Sequence, residues 1–129
     1  MCRGALLAGL AFAKTRTTAC HSISYPITMQ YSVEHGLACA LSLDAVSKIN
    51  REKTVLADEL FAVYEKHGGL RKWLDDTCGE IVKLRLGALG VPKDGIDDIV
   101  KGTFTKGRMD NNPVDISPEQ VKEILLSVY

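Results

Sequence analysis

The chain has 129 residues, enough for one domain with a workable core, and its sixteen basic residues balance sixteen acidic ones. No Lys/Arg cluster exceeds the short run around Arg71 and Lys72, so the electrostatic footprint of a nucleic-acid binder is missing. Hydrophobic residues at 46% exclude a disordered tail, and a 6% aromatic share implies a core of Leu, Ile, Val and Ala.

The opening "MCRGALLAGLAFAK" imitates a secretory signal, with Arg3, an apolar run and Ala11-Phe12-Ala13. The same residues read as the start of a small-residue helix packed in a core, and the run is too short to span a bilayer. A helix is therefore expected over about 3 to 15, with Thr15, Thr17 and Thr18 as boundary and cap candidates. A second helical piece carries His21 and should kink or restart at Pro26, which lacks an amide proton.

From Leu37 to about Ile49 the apolar pattern predicts a buried helix. "TVLADELFAVYEKHGG" places Val55, Leu56, Leu60, Val63 and Tyr64 at helical spacing and stops at Gly68-Gly69, leaving His67 as a solvated residue of a last turn. "LRKWLDDTCG" brings Leu70, Trp73 and Leu74 to one face. "EIVKLRLGALG" offers Ile81, Leu84, Leu86 and Leu89 as a further helix. "VPKDGIDDIVKG" is a short helix whose Asp97 and Asp98 suit its positive end. Ser117, Pro118 and Gln120 spell a capping box before "VKEILLSVY". Seven or eight helices and no strand period give an all-α class over residues 1–129.

Four cysteines, Cys2, Cys20, Cys39 and Cys78, include no C-x-x-C pair, which makes a disulfide framework a poor reading. His21 and His35 stand fourteen residues apart. Two neutral imidazoles can share one transition-metal ion if the chain turns back between them, and the loop "YSVE" with Gly36 beyond it would allow that return. Spacing alone leaves two alternatives open: partly buried structural histidines, or a structural zinc held by Cys20, His21, His35 and Cys39.

"AGLAF", "TTACHSISYPIT", "EHGLACALSL" and "NNPVDISPEQVKEIL" together resemble successive landmarks of the C-terminal helical domain of the iron-containing alcohol dehydrogenase family, a dehydroquinate synthase-like fold. The resemblance implies that His21 and His35 bind the catalytic Fe2+ (or Zn2+). It places Tyr25 beside the reacting centre, where members often carry a histidine; a phenol is a poorer proton relay than an imidazole at neutral pH. Glu34 replaces the family's proline before the second ligand. The wording is closest to the branch that reduces phosphonoacetaldehyde, and "KGRMDNNP" resembles the closing loop near the substrate. Lys106 and Arg108 are thereby implied as holders of an anionic group.

The family's other ligands, an aspartate and a histidine four residues later, belong with an N-terminal dinucleotide-binding domain. No Asp-x-x-x-His and no strand followed by G-x-G-x-x-G occurs in this sequence. The expectation is half of a cytoplasmic two-domain enzyme, inactive alone, that needs the N-terminal domain to exchange hydride between NAD(P)H and a small-molecule aldehyde or alcohol. A contrasting expectation is a non-enzymatic helical interaction domain that self-associates through the face its partner once covered.

Overall fold

The structure, a computed structural model, describes residues 2–129. Seven α-helices and no strand occur among them: α1 (Cys2–Phe12), α2 (Ala19–Tyr31), α3 (His35–Asn50), α4 (Ala57–Glu65), α5 (Leu70–Cys78), α6 (Ile96–Thr103) and α7 (Pro118–Ser127). The core follows from helical spacing. Ala19, Ile23 and Ile27 of α2 recur every fourth residue, and Ala38, Leu41 and Val46 of α3 form the facing stripe. Ile96 and Ile99 of α6 and Val121, Ile124 and Leu125 of α7 close the same cluster, with α2 packed on both α3 and α6. Full burial of the Ile, Leu and Val side chains among them stabilises by roughly 1.5–3 kcal/mol each.

Pro26 neither kinks α2 into two helices nor restarts it; it lies inside one 13-residue helix. The missing amide bond is offset by packing, because Pro26 is buried where Gly102 of α6 lets the two helices approach closely. α2 then stops at Ser32, whose φ of 56° is left-handed and whose amide donates to the Thr28 carbonyl. Val33 is buried in the reversal that follows, and α3 starts two residues later.

Four other expectations change. α1 is helical but ends at Phe12, and none of its residues is buried: Leu6, Leu7, Leu10 and Phe12 are 60–64% exposed. α3 is half-buried rather than enclosed, with Leu43 on its open side. α4 begins only at Ala57, since Leu56 sits at φ 62° outside it and Val55 is exposed; Leu60 and Val63 are open to solvent, while Phe61 and Tyr64 are half-buried. The segment 79–86 is not helical. Leu84 and Leu86 are buried there on irregular chain, held by the Leu86 amide donating to Val128 O at 2.8 Å, while Ile81 points to solvent. That segment is also tied through Arg85, which with Arg71 grips Asp75 on α5 and holds its carboxyl down at about 2. The α7 capping box is present as the sequence spelled it, the Ser117 hydroxyl accepting from the Gln120 amide and the Gln120 side chain accepting from the Ser117 amide.

Candidate metal centre

Two i, i+4 pairs build the site. His21 and Tyr25 share a face of α2, and His35 and Cys39 share a face of the first turns of α3. The reversal at Ser32–Glu34 brings those faces together. The His21 and His35 rings lie 5.3 Å apart between centroids, tilted by 60°, and Tyr25 lies 5.5 Å from His35. Donor atoms of His21, His35 and Cys39 all fall within 4.8 Å of one another.

Ser24 sets the chemistry of His35. Its hydroxyl has one proton, and that proton donates to the His21 carbonyl oxygen at 2.8 Å. Toward His35 Nδ1, 3.3 Å away, Ser24 Oγ must then accept, so Nδ1 carries the hydrogen and Nε2 keeps a free lone pair. The Cys39 Sγ lies 3.7 Å from that Nε2. Burial first, and the neighbouring His35 ring second, push the His21 imidazole below its ordinary value. Both effects favour the neutral form that ligates metal. Burial raises the Cys39 thiol above its ordinary value.

Arg108 completes the wall, its guanidinium 3.8 Å from the centre of the Tyr25 ring in cation–π geometry. Two asparagines hold the loop that carries it. Asn111 donates to Thr17 O at 3.3 Å and to Gly107 O at 2.6 Å. The buried Asn112 exchanges hydrogen bonds with Asn50 at 2.8 and 3.0 Å and also accepts from the Ala19 amide. The loop is thus pinned to the start of α2 and the end of α3.

Of the residues expected from sequence, His21, Tyr25, His35 and Arg108 converge. Lys106 lines a separate hollow of about 380 Å³ with Phe104, Met109 and Asp115. The four-residue zinc alternative loses Cys20, which turns into the core beside Ser42 and is pushed up to about 11 by burial. Gly36 has no non-local atom within 4 Å of where a side chain would start, so no close backbone approach occurs there among the described residues. His67 is not merely solvated; it stacks on Trp73 at 4.6 Å with the rings 12° from parallel. Sequence reading gives Ser24 no part in the site and misses the asparagine clamp. The i+3 spacing of Ser24 from His21 was the available signal for the first, whereas the Asn50–Asn112 pair spans 62 residues and left none.

The Fe-containing alcohol dehydrogenase family, C-terminal, matches residues 1–129. The chain belongs to that family. Among its relatives, the phosphonoacetaldehyde reductase of Streptomyces viridochromogenes is 40% identical over 48 residues, covering 37% of this chain and 12% of that protein. The bifunctional aldehyde-alcohol dehydrogenase AdhE of Escherichia coli strain K12 is 30% identical over 107 residues, 69% of this chain and 12% of that protein. Sulfoacetaldehyde reductase from Bifidobacterium kashiwanohense, solved in complex with NAD+, superimposes with a TM-score of 0.75 at 25% identity, over 99% of this chain and 35% of its own. An iron-containing alcohol dehydrogenase from Thermotoga maritima shares the fold, with a TM-score of 0.67 at 24% identity over 95% and 32% of the two chains. The chain therefore spans an eighth of the curated relatives and about a third of the solved ones. None of the described helices is long and apolar enough to cross a membrane.

Proposed function

We propose that the chain is the metal-binding helical part of an NAD(P)-dependent alcohol dehydrogenase or aldehyde reductase, with His21 and His35 as ligands of its catalytic iron or zinc. The observation that carries this reading is the pair of imidazoles 5.3 Å apart, one with its Nε2 lone pair kept free by Ser24 and the other biased toward its neutral form. The donor chemistry fits a divalent transition metal, whose bonds to imidazole nitrogen are about 2.0–2.1 Å long. When bound, such an ion supplies Lewis-acid polarisation of a carbonyl, and a nicotinamide supplies the hydride. The chain's own residues do the rest. Tyr25 offers its hydroxyl as a hydrogen-bonding group beside the histidines, and Arg108, stacked on that ring, presents a guanidinium to an anionic substrate group. Lys106 adds positive charge to the same loop.

An acetaldehyde bearing a phosphonate is the substrate we favour. The names of two relatives, phosphonoacetaldehyde reductase and sulfoacetaldehyde reductase, share that plan of a two-carbon aldehyde with an anionic head, and Arg108 is suited to bind one. The experiment combines this chain with a matching N-terminal dinucleotide-binding half and follows NAD(P)H oxidation. Phosphonoacetaldehyde should be reduced, His21→Ala and His35→Ala should abolish turnover, and Arg108→Ala should lower kcat/KM for the phosphonate aldehyde by about tenfold or more, the scale of a lost charge-assisted bond, while propionaldehyde use changes little. Equal losses for both aldehydes would remove Arg108 from substrate recognition. A second reading, an interaction module without catalysis, draws on the exposed Leu6, Leu7, Leu10 and Phe12; it expects no turnover even with the N-terminal half supplied.

A further inference from the structure

We infer that Cys39 is a third metal ligand, so that this chain alone offers a His2Cys donor set of His21, His35 and Cys39 and takes zinc in preference to ferrous iron. The inference rests on the metal-site reading above and adds to it a donor that the two-histidine pattern does not contain.

Geometry carries the case. His35 and Cys39 stand four residues apart on α3, the spacing at which two side chains of one helix reach a common ion. Sγ is 3.7 Å from Nε2, and Nε2 is the nitrogen that Ser24 leaves without a hydrogen. His21 reaches in from α2, with all three donor atoms inside 4.8 Å, so small side-chain rotations bring them within bonding distance of one ion at about 2.0–2.3 Å. His35 is exposed and His21 and Cys39 are partly so, leaving the ion a path in. Cys20 does not compete, because it packs into the core.

The donor set then decides the metal. On coordination the S–H bond breaks, its proton leaves to solvent, and an S–metal bond forms, so the thiolate contributes one negative charge against the divalent ion. Two imidazoles alone are neutral. A soft thiolate with two imidazoles favours zinc over iron(II), in line with both ligand softness and the affinity order of the divalent metals.

Cobalt(II), a spectroscopic stand-in for zinc, provides the test on the purified chain. A cobalt complex of the wild type should show a near-ultraviolet thiolate-to-metal charge-transfer band together with intense tetrahedral visible bands, both displaced by one equivalent of zinc. Cys39→Ala should lose the charge-transfer band and weaken zinc binding by more than the roughly 10–100-fold typical of losing an outer-shell partner. Cys78→Ala should keep both, and circular dichroism shows whether each variant stays helical. If cobalt binds through the histidines with no charge-transfer band, or if Cys39→Ala binds zinc like the wild type, the thiolate ligand is refuted while the two-histidine site stands. If His21→Ala and His35→Ala leave cobalt binding unchanged, both readings fall. Ferrous iron binding as tightly as zinc would overturn the metal preference.

Discussion

Ser24 shows how one small side chain governs a site built from larger ones. A serine buried on α2 makes two hydrogen bonds, and because its single proton goes to the His21 carbonyl, the second bond fixes which nitrogen of His35 carries the hydrogen. Ser24→Ala should therefore leave the fold in place and weaken zinc binding by about 10–100-fold, the usual effect of removing a hydrogen bond behind a metal-ligating histidine. A competition titration against a chelator reads this directly, and an unchanged affinity would mean that His35 needs no such support. The convergence of His21 and His35 was legible in the sequence through their spacing and the residues around them. The part played by Ser24 was not, because it depends on the angle at which α3 returns against α2, whereas Cys39 stood in the sequence only within the four-residue zinc alternative. That angle is set by Ser32 in the left-handed region and by the buried Val33, neither of which carries a turn signal as strong as glycine or proline.

At the scale of elements, helices with caps and a clear apolar stripe were readable, and those whose partners lie far away in sequence were not. α7 announced itself through Ser117, Pro118 and Gln120, and α6 through its acidic first turn. The segment 79–86 carried Ile81, Leu84 and Leu86 of the expected apolar set yet stays irregular, because Leu84 and Leu86 are buried, the Leu86 amide bonds to Val128 near the end of the chain, and Arg85 pairs with Asp75. α2 resisted prediction for a different reason. Proline in a helix interior costs about 3 kcal/mol, and nothing local reveals that Gly102 of α6 offers the close contact that offsets it. Gly102→Ala tests that contact. Helix propensity alone would make alanine better by about 1 kcal/mol, but a methyl placed 2.9 Å from Pro26 Cβ meets a rigid ring. Overpacking of this kind costs roughly 1–3 kcal/mol, so the clash should win and the melting temperature should fall. A rise in melting temperature would show that α2 and α6 can move apart at little cost.

Across the whole molecule, the buried cluster joins α2, α3, α6 and α7, and the face that carries His21, His35 and Cys39 opens on the α2–α3 side of it. α1 and α4 stand outside that cluster: α1, expected to pack in a core, buries no residue, and α4 leaves Leu60 and Val63 exposed while its Tyr64 meets Trp73 of α5. Composition and periodicity revealed the helices themselves. They could not reveal which faces stay uncovered, since an apolar stripe looks the same whether it is buried within the chain or left open. The candidate site is less divided than that contrast suggests: Asn111 and Asn112 lock the Arg108 loop against the start of α2, so the histidines, Tyr25 and Arg108 form one assembled wall. The central claim is that this wall holds a metal through His21 and His35, and calorimetric titration of the purified chain with zinc tests it most directly. The wild type should bind one equivalent with a saturable isotherm, and the His21→Ala, His35→Ala double variant, shown by circular dichroism to remain helical, should give no saturable heat. A double variant that binds zinc with the wild-type isotherm would contradict the account.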